Sequence, residues 1–141
     1  MRKIPISIAA AAAGVAFFAF PAAADNVMFK APLSASEEVP PNQSKGTGNI
    51  EATYDTSSKK LSWKGSYSGL SGPTTAAHFH GPAEKGKNAG VVVPADAAKS
   101  PFDGSATLTD AQAADLMKGD WYFNIHTAEN KGGEIRGQMT K

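Results

Sequence analysis

The stretch from Trp121 to Met139 constrains the fold most: two runs of alternating side chains flank a polar connection, Ala128 to Gly133. A strand sends successive side chains to opposite faces. With Ile125 opposite Ile135, Phe123 meets Gly137 and Trp121 meets Met139, so one face of the hairpin is free of polar side chains. The same register pairs His126 with Glu134, Asn124 with Arg136 and Tyr122 with Gln138 on the other face. A slip of one residue would set apolar against charged partners, so the pattern itself selects the register. The polar face has two readings at this stage. It is either a solvated outer surface tied by cross-strand hydrogen bonds and ion pairs, or a site near the loop to which His126 and Glu134 belong.

The rest of the chain alternates in the same way between clusters of Gly, Pro, Asn and Ser, which predicts an all-β, antiparallel sandwich or barrel. Strands are expected at Val27 to Leu33, Thr47 to Tyr54, Lys60 to Tyr67, Thr75 to His80, Val91 to Val93, Phe102 to Leu108, Trp121 to Thr127 and Glu134 to Met139. One short helix interrupts them. Thr109 and Gln112 have capping-box spacing, Asp110 puts negative charge in the first turn, and Lys118 followed by Gly119 suits the end. Ala113, Leu116 and Met117 give it one apolar side that closes an end of the sandwich. Glu38 to Lys45 is a proline-marked connection and Gly81 to Gly90 an exposed loop.

The first 24 residues have the layout of a secretory leader: basic Arg2 and Lys3, an apolar run from Ile6 to Phe20, then an A-x-A pair at Ala22 and Ala24. Cleavage after Ala24 would leave a single domain, residues 25–141, in the periplasm or the medium. The apolar run is shorter than the roughly 20 residues of a spanning helix, so no membrane span is expected once the leader is removed. Without Arg2 and Lys3, 12 of the 14 basic residues remain against 13 acidic ones. That balance argues against a nucleic-acid partner, which needs a concentrated positive field. The chain has no Cys, which removes disulfides and thiolate chemistry together.

His78 and His80 are two apart in a predicted strand and share a face, while Phe79 turns to the other. Two imidazoles so placed can meet one ion at about 2 Å each. His126 is the third and last histidine of the chain. If the two strands lie together, His78, His80 and His126 supply three nitrogen ligands, a set that favours copper or zinc. Glu134 is then a fourth ligand or the group that orients His126, with Asn124 and Arg136 supporting the site. The plainer reading is that the histidines hydrogen-bond nearby loops. The distance between His126 and the other two separates these readings.

Four segments together resemble the CHRD domain family, which is repeated in chordin and occurs singly in exported bacterial proteins. They are Leu33 to Pro41 (LSASEEVPP), Ala77 to Ala83 (AHFHGPA), Gly119 to Thr127 (GDWYFNIHT) and Gly133 to Gln138 (GEIRGQ). The resemblance implies a β-sandwich of the immunoglobulin or superoxide-dismutase kind in an extracytoplasmic setting, with no catalytic activity attached. Its most recognisable positions are His78, His80, Gly81, Asn124, His126, Glu134, Arg136 and Gly137. A looser likeness to copper-zinc superoxide dismutase stops short of its chemistry. That enzyme needs further histidines, an Asp and a disulfide, and three His without Cys cannot assemble a dinuclear site.

The sequence contains no G-x-S-x-G elbow, no H-E-x-x-H pair and no phosphate-binding Gly loop, so no enzyme is expected. An acid-base role for His126 with Glu134 and Arg136 lacks an adjacent nucleophile. The expectation is a metal-binding module. Its alternative is a domain that engages an extracytoplasmic protein through Tyr122 or Trp63 on a polar face.

Overall fold

The computed structural model describes residues 10–20 and 25–141. Arg2 and Lys3, and the expected cleavage position with Ala22 and Ala24, lie outside the described residues. Residues 10–20 have no regular secondary structure and are exposed throughout. No helix among the described residues is long and apolar enough to cross a membrane.

All eight expected strands form, each within two residues of its sequence bounds: β1 (Asn26–Ser34), β2 (Thr47–Asp55), β3 (Lys60–Ser68), β4 (Thr74–His80), β5 (Val91–Ala95), β6 (Phe102–Thr107), β7 (Tyr122–Thr127) and β8 (Ile135–Gln138). Their order is β5-β4-β7-β8-β1-β2-β3-β6, and every neighbouring pair is antiparallel. The join between β8 and β1 is thin: the ladder pairs only Ser34 with Arg136, with one further bridge from Lys30 to Thr140. The sheet folds over at that join, so its two halves pack their apolar faces together. Trp63 of β3 meets Phe79 of β4 edge-on at 5.0 Å, and Phe102 of β6 stacks on Phe123 of β7 at 5.8 Å. Ile50, Leu61, Phe79, Trp121, Phe123, Ile125, Ile135 and Met139 are fully buried between the halves. The all-β class with a single helix stands as the alternation predicts.

The hairpin register is the one read from the sequence, with Ile125 opposite Ile135, Phe123 opposite Gly137, Asn124 opposite Arg136 and Tyr122 opposite Gln138. Gly137 has a specific reason to lack a side chain. An added Cβ would run into the Pro32 carbonyl oxygen and crowd the Ala31 methyl at 3.1 Å. Neither strand backbone can withdraw, so Gly137→Ala is expected to lower stability by about 1–3 kcal/mol in urea denaturation. An unchanged midpoint would mean that β1 and β8 are less tightly apposed.

The helix, α1 (Asp110–Met117), carries the full capping box. The Thr109 side chain accepts from the Gln112 amide at 3.1 Å, and the Gln112 side chain accepts from the Thr109 N–H at 3.0 Å. Leu116 is fully buried and Gly119 ends the helix at φ +84°, a conformation that glycine adopts without steric penalty.

The polar face of the hairpin corrects the solvated reading. Tyr122, Asn124, Glu134 and Arg136 are all at least 95 % buried, because two connections lie across them. One is residues 38–46, which reaches the hairpin through Asn42 and Ser44. The other is Gly81 to Gly90. Its outer side is exposed as expected, but its inner side holds polar groups: the Arg136 guanidinium donates to Asn88 Oδ1 at 2.7 Å and to the Lys87 carbonyl. Gln138 Nε2 donates to the Ala83 carbonyl at 2.8 Å. Buried polar groups need such partners, and the loops supply them.

Candidate metal centre

The antiparallel register of β4 and β7 brings the histidines together. His78 stands opposite Asn124, His80 opposite Tyr122, and His126 opposite Ala76, all on one face of the sheet. His78 Nδ1 lies 3.2 Å from His126 Nε2, and one ring nitrogen from each of His78, His80 and His126 falls within 4.8 Å of the others. Two nitrogen donors held at about 2.0–2.1 Å by one tetrahedral ion sit roughly 3.3 Å apart, so the closest pair already has chelating separation.

Two of the three rings are oriented by neighbouring oxygens. His126 Nδ1 is 2.8 Å from the Lys131 carbonyl, which can only accept, so this nitrogen carries the proton and Nε2 is left bare. His80 Nδ1 lies 3.0 Å from the Ala89 carbonyl and its Nε2 is 2.9 Å from Asn124 Oδ1. The His80 ring stacks on Tyr122 at 4.7 Å, nearly parallel, and the Arg136 guanidinium carbon lies 3.4 Å from the centre of that same Tyr ring. Burial, then the neighbouring His126 and His80, lower the pKa of His78. Burial also lowers that of His80, against the opposing hydrogen bonds to Ala89 and Asn124. Both shifts favour the neutral imidazole, the form that binds metal.

Glu134 sits elsewhere. Its carboxylate hydrogen bonds go to Ser44 Oγ at 2.9 Å, the Ser71 N–H at 2.9 Å, the Ser71 hydroxyl, Thr127 Oγ1 at 2.7 Å and Asn130 Nδ2 at 3.0 Å. None reaches His126, and the carboxylate is not among the groups that converge with the histidines. Burial pushes its pKa up, but the hydrogen bonds from Ser71, Thr127 and Asn130 outweigh this and hold it at about 2. The expected fourth ligand is thus the anchor of the loop ends, and the Lys131 carbonyl orients His126 in its place. Arg136 supports the site from behind Tyr122, whereas Asn124 touches it directly.

Sequence spacing missed Glu38, which lies under the hairpin next to the Asn124 amide. It is buried, and its Oε1 has no hydrogen-bond partner of normal geometry. Burial pushes its pKa up to about 7, against the opposing pull of Arg136 and Asn124. Between pH 4.5 and 7 the folded chain therefore holds a proton that the unfolded chain releases, and stability falls as pH rises through that window. Glu38→Gln removes this loss. The variant is expected to gain on the parent from pH 4.5 upwards, by up to about 3 kcal/mol at pH 7 and above. Parallel stability curves for the two proteins across that range would contradict the assignment.

Residues 29–139 match the family model of the CHRD domain, a span that holds all three histidines, Asn124, Glu134 and Arg136. The chain belongs to the CHRD domain family. Neither the curated proteins nor the solved structures contain a match to it. Within this CHRD domain, the segments that carried the resemblance are the ones that build the site. AHFHGPA brings His78 and His80, GDWYFNIHT brings Tyr122, Asn124 and His126, and GEIRGQ brings Glu134 and Arg136. LSASEEVPP brings Glu38 to the underside of Asn124.

Proposed function

We propose that this CHRD domain is an exported module that binds one transition-metal ion, copper or zinc, through His78, His80 and His126, and that it does so without catalysing a reaction. The observation that carries the reading is the convergence of the chain's three histidines on one face, two of them at 3.2 Å. Neutral, pre-oriented imidazoles reduce the reorganisation needed for binding, because the carbonyls of Lys131 and Ala89 already fix two of the rings.

The non-catalytic part rests on the absence of a recognisable nucleophile motif and on the engagement of Glu134 with loop donors rather than with His126. The alternative of a protein-interaction surface loses its anchors, since Trp63 and Tyr122 are both buried. Export is supported by the leader pattern, together with the exposure of Phe17, Phe18 and Phe20, which do not join the domain core. Outside the cytoplasm the histidines would meet metal ions that the cytosol buffers away.

Calorimetric titration of residues 25–141 with Cu(II) and with Zn(II) tests the reading. One saturable equivalent of at least one ion is expected. Heats that never saturate with either ion would remove the proposal.

A further inference from the structure

The side chains around the three histidines supply no fourth donor among the described residues. On their face of the sheet, Ala76 stands opposite His126 and Pro94 opposite His78, and neither side chain carries a ligand atom. Tyr122 stands opposite His80, but its hydroxyl is committed: it accepts from the Ala89 N–H and donates to the Ala89 carbonyl, both at 3.1 Å. Asn124 Oδ1 is in an ordinary hydrogen bond with the His80 ring at 2.9 Å. Glu134 is held by loop donors, and no carboxylate among the described residues converges with the histidines. The chain has no Cys. The outer side of the cluster faces solvent, since Ala76, His78 and His126 are half-buried and Pro94 is exposed.

The charges nearby favour an anion at this place. Among the described residues no carboxylate acts on His78 or His80, and the fixed charge that acts on His80 is the Arg136 guanidinium. A divalent ion on three neutral imidazoles therefore keeps its double positive charge in a partly desolvated place, where a counter-charge is worth more than in water. Resting on the metal reading above, we infer that the ion held by His78, His80 and His126 keeps one coordination position open on the solvent side and fills it with a small anion from solution. Four protein ligands close a site, whereas three leave room for a ligand from outside. The ligand class is a compact monovalent anion such as hydroxide, a halide or azide. The flanking side chains of Ala76 and Pro94 offer no hydrogen bonds by which a larger anion would be held.

The test is titration of the Cu(II)-loaded protein with azide, and separately with neutral pyridine, followed by optical absorption and electron paramagnetic resonance. If the protein retains Zn(II) but not Cu(II), Co(II) in place of zinc gives the same optical readout. One azide per ion is expected to bind saturably, with a new azide-to-metal charge-transfer band, and at least tenfold more tightly than pyridine. Spectra that azide leaves unaltered would mean that the chain itself supplies the fourth donor, which overturns the open position and leaves the histidine site standing. Equal affinities for azide and pyridine would overturn the preference for an anion. A chain that takes up none of these ions would overturn the metal reading and this inference together.

Discussion

Replacing His80 by alanine is expected to weaken Cu(II) or Zn(II) binding at least about a hundredfold while the domain stays folded. Loss of a group that merely orients a ligand costs 10–100-fold, and His80 is itself a donor, so that range is a floor. The structural cost is smaller. The ring stacks on Tyr122 and touches Ala89 and Asn124 at the end of β4, while the apolar core on the opposite face is untouched. His78→Ala and His126→Ala are expected to weaken binding comparably with less effect on folding, since both rings are half-buried. Thermal denaturation without metal separates the two effects. Three folded variants that bind as the parent does would mean the ion sits elsewhere.

The second large effect concerns stability. Glu134→Leu is expected to cost about 3 kcal/mol, because it removes the shared acceptor of buried Thr127, half-buried Ser44 and Asn130, and exposed Ser71 together. Against a total of about 5–15 kcal/mol for a domain, that is enough to threaten folding at growth temperature. Glu134→Gln should also be destabilised, since one of its two terminal atoms becomes a donor facing donors. The pH dependence has a defined sign. A carboxyl held at about 2 contributes stability that is full above the unfolded value of 4.5 and lost as pH falls towards 2. By linkage the parent loses up to about 3 kcal/mol over that interval from this residue alone. Neither Glu134 variant should show this component. Urea midpoints at pH 7 and pH 3 for parent and variants measure it. A Glu134→Leu protein as stable as the parent at pH 7 would refute the anchoring role.

How far these features were legible depended on the range of the interactions. The hairpin could be read residue by residue because its period-2 pattern runs on both strands, and a shift in register would have buried Arg136 or Glu134 against Phe123 or Ile125. His78 and His80 were legible as a pair from their spacing. Their meeting with His126 required the pairing of β4 with β7, which spacing alone does not specify. The roles of Glu134 and Glu38 were not legible. Glu134 is held by Ser71 and Ser44, 63 and 90 residues away, and both are loop serines with no local pattern to mark them. The polar connections read as solvent-facing because of their composition. That composition instead supplies hydrogen bonds to a buried polar layer, with Asn88 capping Arg136 and Asn42 donating to the Glu134 carbonyl at 3.0 Å.

Three histidines holding one ion have a direct spectroscopic signature. X-ray absorption at the metal K-edge, on residues 25–141 loaded with whichever of Cu(II) and Zn(II) binds more tightly, counts the imidazoles directly. Three are expected, at about 2.0–2.1 Å. A spectrum that needs one imidazole or none, or a protein that retains neither ion, would contradict it.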